Sequence, residues 1–335
     1  MLLRRCGPWR VAPLLLPGAL LSGCPQLLKD DFQGFSGLAG AGSRGGSDPL
    51  ADASAGPRPG EDGGTLPPSG PGQHNDGGAV VGPSDANTPP DPVSLALRSA
   101  LAHRYRFDPG ATLLDSVGNA HAVSVGANFS AGAAVLAGTG TGQYIDLPNG
   151  LLSGLHNATF EVWVIWNVDD PTSVTSAWQR IFDLGSNSRS VEGEQVEIDG
   201  AANALYLTPS SNGSSGGSLQ MRCEGCAGTR IEAPASMPTR VQVQIVGVVD
   251  DDGDLLAVYQ NGQLAGSQPF PGSLSAITSC SGRPAPCDWN NWLGRSQHVE
   301  DPPFRGSILD FRIYSAALPA PLIQASFAAG PDATW

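Results

Sequence analysis

Residues 256–265 read Leu256-Ala257-Val258-Tyr259-Gln260-Asn261-Gly262-Gln263-Leu264-Ala265. Two strand-like runs flank an Asn-Gly pair, which supplies the two positive φ angles that a tight hairpin turn needs. The stretch predicts an antiparallel hairpin, and its neighbours extend the pattern. Arg240-Val241-Gln242-Val243-Gln244-Ile245 alternates strictly, which puts Val241, Val243 and Ile245 on one face of a strand. Thr159-Phe160-Glu161-Val162-Trp163-Val164-Ile165-Trp166 is rich in β-branched and aromatic residues, with Phe160, Val162 and Val164 in phase. Further strands are expected at 103–107, 144–147, 180–184, 204–208, 219–223 and 307–314. Helix is limited to a short segment over 318–328, with Pro319 and Pro321 in its first turn, while 94–102 is ambiguous. Many antiparallel strands over about 240 residues predict an all-β fold, a two-sheet antiparallel sandwich over 93–335.

Upstream of Val93 the composition changes. Arg4, Arg5 and Arg10 precede an apolar stretch of Leu14, Leu15, Leu16, Ala19, Leu20 and Leu21, too short to span a bilayer, which takes roughly 20 apolar residues. The stretch ends in Leu21-Ser22-Gly23-Cys24, which resembles the lipobox of bacterial lipoproteins. That resemblance implies a signal peptide over 1–23 and lipid modification of Cys24, with ordinary cleavage as the alternative. Two or more acyl chains anchor a protein stably, whereas one binds marginally. Residues 24–92 are dominated by Gly, Pro, Ser, Ala and Asp, as in Pro67-Pro68-Ser69-Gly70-Pro71-Gly72, and predict a disordered linker. A flexible coil of that length reaches roughly 45 Å.

The formal net charge is −13 and Lys29 is the only lysine, which excludes nucleic acid as a partner because phosphate neutralisation needs clustered Lys and Arg. The balance suits an exported protein and the oxygen-donor chemistry of Ca²⁺. Of six cysteines, Cys6 leaves with the signal and Cys24 takes lipid. Cys223, Cys226, Cys280 and Cys287 remain, an even number that predicts two disulfides and allows three pairings. Local pairs, Cys223–Cys226 and Cys280–Cys287, are expected, since each closes a small loop in a Gly/Pro-rich segment.

The order of blocks resembles the LamG-like jelly-roll domains of the concanavalin A-like lectin/glucanase superfamily. His103-Arg104-Tyr105-Arg106-Phe107-Asp108 and Leu114-Asp115-Ser116-Val117-Gly118-Asn119 are similar to the family's opening strand and turn. Phe160 to Val164, Arg180-Ile181-Phe182-Asp183-Leu184-Gly185 and the Asn261-Gly262 hairpin follow in order. The closing block is Trp292-Leu293-Gly294-Arg295, then Phe304 to Tyr314, then Ala317-Leu318. The resemblance covers about 98–330 and implies a structural Ca²⁺ site where the first and last strands meet. Carried over by position, Asp108, Asp115, Asn119 and Asp310 would supply its oxygens, with turn capping as the alternative for Asp115 and Asn119.

Retaining glucanases of this superfamily carry paired carboxylates on one strand face. Here Glu194, Glu197 and Asp199 occupy such a stretch, but Gly200-Ala201-Ala202 stands where a second same-face Glu is needed. A polar surface strand is the expected reading. Asp250-Asp251-Asp252-Gly253-Asp254 reads as a solvated hairpin loop, lacking the downstream Glu of an EF-hand. No Gly-x-Ser-x-Gly elbow or phosphate-binding Gly loop is present. Trp289, Asn291 and Trp292 are a candidate sugar-stacking surface, with core packing as the competing role for the Trp residues. These features predict a non-catalytic lipoprotein at the cell envelope, outer membrane or cell surface, which meets the membrane only through its lipid. It displays a lectin-like binding or adhesion module for glycans or extracellular proteins. A glycan-cleaving enzyme and a structural envelope protein are the alternatives.

Overall fold

The computed structural model describes residues 91–335 apart from 108–112, 141, 198, 212–216 and 280–285. The signal, Cys24, most of the linker, Asp108 and Cys280 therefore lie outside the described residues. In chain order the elements begin with helix α1 (Pro92–Ala100), then β1 (Leu101–Arg106), β2 (Val123–Val125), β3 (Asn128–Ser130), β4 (Ala133–Ala137) and β5 (Tyr144–Leu147). There follow β6 (Ala158–Trp166), β7 (Phe182–Asn187), β8 (Ala202–Thr208), β9 (Gln220–Cys223) and β10 (Arg230–Glu232). The last are β11 (Gln242–Asp250), β12 (Leu255–Gln260), β13 (Gln263–Pro269), α2 (Ser275–Thr278), β14 (Asn290–Leu293), β15 (Arg305–Tyr314) and α3 (Ala320–Ala329).

The strands form two antiparallel sheets, as the sequence predicts. One has eight strands in the order β13-β12-β11-β6-β15-β4-β3, with β1 paired to the far half of β15. The other has seven, in the order β10-β9-β8-β7-β14-β5-β2. The Asn-Gly hairpin joins β12 to β13, with Asn261 at φ 51° and Gly262 at φ 75°. Gly262 also lies where a Cβ would press on Phe327 of α3 at 3.2 Å, so glycine serves both the turn and the helix packing.

Strand β6 sits between β11 and β15, and its alternation divides the chemistry of the two sides. Phe160, Val162, Val164 and Trp166 enter the core between the sheets, where they meet Phe182, Leu184, Leu205, Met221 and Phe311. Each such side chain, fully removed from water, contributes roughly 1.5–3 kcal/mol. In β11, Val243, Ile245 and Val249 join the same core, while Val246 and Val248 face the other way. Val241 departs from its expected phase. It lies before the strand and is half exposed.

The eight-stranded sheet is covered on its outer side by α1 and α3, whose Leu97 and Ile323 pack with Val246, Val248, Ala257 and Tyr314. Asp91 caps α1 by accepting from the N–H groups of Val93 (2.9 Å) and Ser94 (3.1 Å), which settles the ambiguous 94–102 stretch as a helix running into β1. Beneath α3 lies a buried ionic network. Glu161 accepts from Arg312 (3.1 Å), Trp163 (2.8 Å), Gln244 (3.0 Å), Tyr314 (2.9 Å) and Ser326 (2.8 Å). Arg312 and Arg104 together hold Asp310, and both guanidinium groups also donate to the Pro331 carbonyl, fixing the C-terminal tail.

Cys223 and Cys226 form the expected local disulfide, and Cys287 is also disulfide-bonded.

Removing one member of this network leaves opposite charges buried without a partner, so Arg312→Met is expected to cost about 3–5 kcal/mol. Urea unfolding measures it, and a loss below about 1 kcal/mol would contradict the network's role.

Candidate functional site

Among the described residues, no helix covers the outer side of the seven-stranded sheet as α1 and α3 cover the other. Its strands send apolar residues inward, including Phe182 and Leu184 from β7, Leu205 and Leu207 from β8 and Met221 from β9. Alternation then sends the intervening residues outward. Register aligns them in one row across the whole sheet: Arg230, Arg222, Tyr206, Asp183, Trp292, Asp146 and Val123. At the centre the row is polar and titratable.

Arg180 organises this centre. Its guanidinium lies over the Tyr206 ring at 3.9 Å, bonds Asp301 at 2.7 Å, approaches Asp183 at 3.4 Å and donates to the Trp178 carbonyl at 2.7 Å. Asp183 is buried, and its Oδ2 accepts from the Gln297 N–H at 3.0 Å. Its Oδ1 is buried with no hydrogen-bond partner. Burial pushes the Asp183 carboxyl up to about 7 against the opposing pull of Arg180. Glu224, partly buried beside them, shows the reverse balance: burial raises it, yet His298 and Arg222 hold it below its ordinary value. The hydrogen bond to Glu224 raises His298.

Trp178 stands at the rim, 36% exposed, with its ring 5.9 Å from the Arg180 guanidinium carbon. Its φ is 63°, a conformation that costs a bulky residue of order 1–3 kcal/mol and that collects at functional sites. Its N–H bonds the Ser210 carbonyl at 2.8 Å, which together with Arg180 fixes the strained loop. On the other side of Asp301 lies a pocket of about 80 Å³ lined by Gln143, Gln195, Arg295 and Ser296. Arg295 is stacked on Tyr144 (4.6 Å) and Trp292 (4.3 Å). The preceding Gly294 has a φ of 89°, and a Cβ there would meet Leu136 at 2.3 Å, so only glycine fits.

The residues expected from sequence are placed differently. Trp292 and Asn291 are fully buried, so neither presents a surface to a ligand. Asn291 donates to the Asp288 and Pro148 carbonyls, and Trp292 is covered by Arg295. Trp289 is partly buried. Among its described residues, segment 191–200 shows turns and bends with one isolated bridge at Val196 and no strand. Glu194, Glu197 and Asp199 are exposed on it, and Glu197 lies 3.9 Å from Arg189. They lack the shared strand face that paired catalysis needs.

Of the calcium set, Asp108 lies outside the described residues, and Asp115 and Asp310 are engaged by protein groups. Both Asp310 oxygens are held by guanidinium groups. Asp115 accepts from His103 at 2.6 Å and from the N–H groups of Arg104, Val117 and Ala120, so it caps the turn that holds exposed Asn119. Among the described residues no group of three His, Cys, Asp or Glu side chains gathers to hold a metal. In the Asp250–Asp254 loop, Asp252 instead binds His156 and Asn157.

Sequence reading missed Trp178, and no pattern in 171–179 marks it; its exposure and backbone emerge only from the fold.

The model of the concanavalin A-like lectin/glucanases superfamily matches residues 139–324. The chain belongs to that superfamily. No curated protein matches the chain. Among solved structures, it is similar to domain 4 of AbnA, a GH43 extracellular arabinanase from Geobacillus stearothermophilus, in complex with arabinotriose. That match has 21% identity over 67% of this chain and 97% of that one, with a TM-score of 0.46. It is also similar to the CBM40 of Ruminococcus gnavus IT-sialidase bound to α2,3-sialyllactose, with 18% identity over 54% of this chain and 94% of that one and a TM-score of 0.39. The botulinum neurotoxin serotype C1 binding domain matches at 10% identity over 70% of this chain and 52% of that one, with a TM-score of 0.49.

The folded chain keeps a proton on Asp183 that the unfolded chain releases at the ordinary value of 3.8. The stability contributed by this group is therefore lost as pH rises from about 4 to about 7, then levels off. Asp183→Asn is expected to remove that loss. Urea unfolding of both proteins across this range tests it, and parallel curves would contradict the assignment.

Proposed function

We propose that this chain is a non-catalytic, lectin-like module that binds glycans on the open face of its seven-stranded sheet. Exported through the signal at 1–23 and anchored by lipid on Cys24, the module stands off the cell envelope on the linker of 24–92. The observation that carries the binding reading is exposed Trp178 beside a fixed set of polar groups. An aromatic face covers the apolar side of a sugar ring, while Arg222, Glu224 and His298, all partly exposed, offer donors and acceptors for its hydroxyls. Membership of a superfamily of lectins and glucanases supports this ligand class. The non-catalytic reading is supported by the exposed placement of Glu194, Glu197 and Asp199 off any shared strand face.

Trp178→Gly provides the test, because glycine accepts the φ of 63° without strain. The variant is expected to melt at or above the wild-type temperature while glycan affinity falls about tenfold or more. A glycan array finds the ligand and calorimetry measures it. Undiminished affinity in a folded variant would overturn Trp178 as the platform, and an array that is silent with the wild-type chain would overturn the glycan reading itself.

A further inference from the structure

The Arg295 pocket has a chemistry of its own. Its guanidinium is held flat against the Tyr144 and Trp292 rings, and one amino group donates to the Gln195 Oε1 at 3.2 Å. The Nε is buried and makes no hydrogen bond. Among the described residues no carboxylate forms an ion pair with this arginine, in contrast to Arg104, Arg180 and Arg312. Asp301 lines the same pocket, but its charge is engaged by Arg180 at 2.7 Å and by the Ser296 hydroxyl at 2.6 Å. Asp146, the next strand residue beyond Trp292 in the row, acts on Arg295 only at longer range, and burial raises its own carboxyl toward the neutral form. A partly buried, rigidly stacked guanidinium without a counter-charge is a poor structural element. It is a good receptor, because its planar fork matches a carboxylate through two parallel hydrogen bonds.

We propose that this pocket is an anion subsite that takes the carboxylate of an acidic sugar, with Arg295 as its recognition residue. The assignment rests on the glycan-binding reading above and names the ligand class. The volume agrees with it: about 80 Å³ admits a carboxylate and its adjoining carbon but is well short of the roughly 300 Å³ and more of a site that encloses a whole ligand. The sugar ring then stays outside, and Asp301 links the pocket to Arg180 and hence to Trp178. One wall is apolar, from Val299 and Pro303, and Gln143, Gln195 and Ser296 give the other its polar groups.

Calorimetry with the intact chain tests it, using oligosaccharides that end in a uronic or sialic acid, each against its carboxyl-reduced counterpart and a sulfated analogue. The acidic member is expected to bind about tenfold or more tightly than the reduced one. Arg295→Gln should erase that difference. Arg295→Lys, which keeps the charge but loses the fork, should erase part of it and serves alone if the Gln variant fails to fold. Equal binding of acidic and reduced sugars, an unchanged preference in either folded variant, or tighter binding of the sulfated analogue overturns the subsite and leaves the glycan reading standing. No binding of any sugar overturns both.

Discussion

The open face of the seven-stranded sheet depends on one cation. Arg180 is 3% exposed, yet it faces outward from the sheet, a position that a lone buried charge would not tolerate. It is stable there because Tyr206 covers its face while Asp301, Asp183 and the Trp178 carbonyl meet its edges. Those contacts do more than neutralise it. Asp301 belongs to the loop after β14, and Trp178 to the loop before β7, so a single side chain fixes two loops to the sheet. Gln297, in the first of those loops, adds its N–H to Asp183.

The two sheets solve the same problem in opposite ways. On the eight-stranded sheet the outward polar residues, Glu161, Asp310 and Arg312, are sealed under α3 and satisfied among themselves. On the seven-stranded sheet the central outward residues Tyr206, Asp183 and Trp292 are buried by Arg180, Gln297 and Arg295, while Arg222 and Asp146 are partly exposed. Some buried polar atoms go unmet, among them Asp183 Oδ1 and Arg295 Nε. Buried polar atoms left unmet beside partly exposed charged groups give this side the character of a binding surface for a polar ligand. Rigid strands position its first row and short, pinned loops supply the rim.

Much of the fold was legible because its signals are local. Asn261-Gly262 states a turn geometry outright, and the alternation of β6 and β11 states which side faces the core. The end of that signal was not legible: Val241 continues the alternation in sequence but falls outside the strand. The site was less readable, since its members are brought together by register across strands far apart in the chain. Trp292 looked like a ligand platform because tryptophan beside asparagine suits sugars, but Arg295 covers the indole and Asn291 is held by the Asp288 and Pro148 carbonyls. Asp310 looked like a cation ligand, yet its partners Arg104 and Arg312 reach it from β1 and β15. Trp178 carried no sequence mark because its value comes from exposure and a left-handed backbone, which only the assembled loop imposes.

The central claim, that ligand is bound on the open face of the seven-stranded sheet, is tested most directly by the indole N–H signals of the intact chain during a glycan titration. Trp178 on the open face should shift, while Trp166 in the core and Trp163 beneath Phe327 of α3 should stay fixed. A saturable shift of Trp163 with Trp178 unmoved would place the ligand on the helix-covered side and contradict the account.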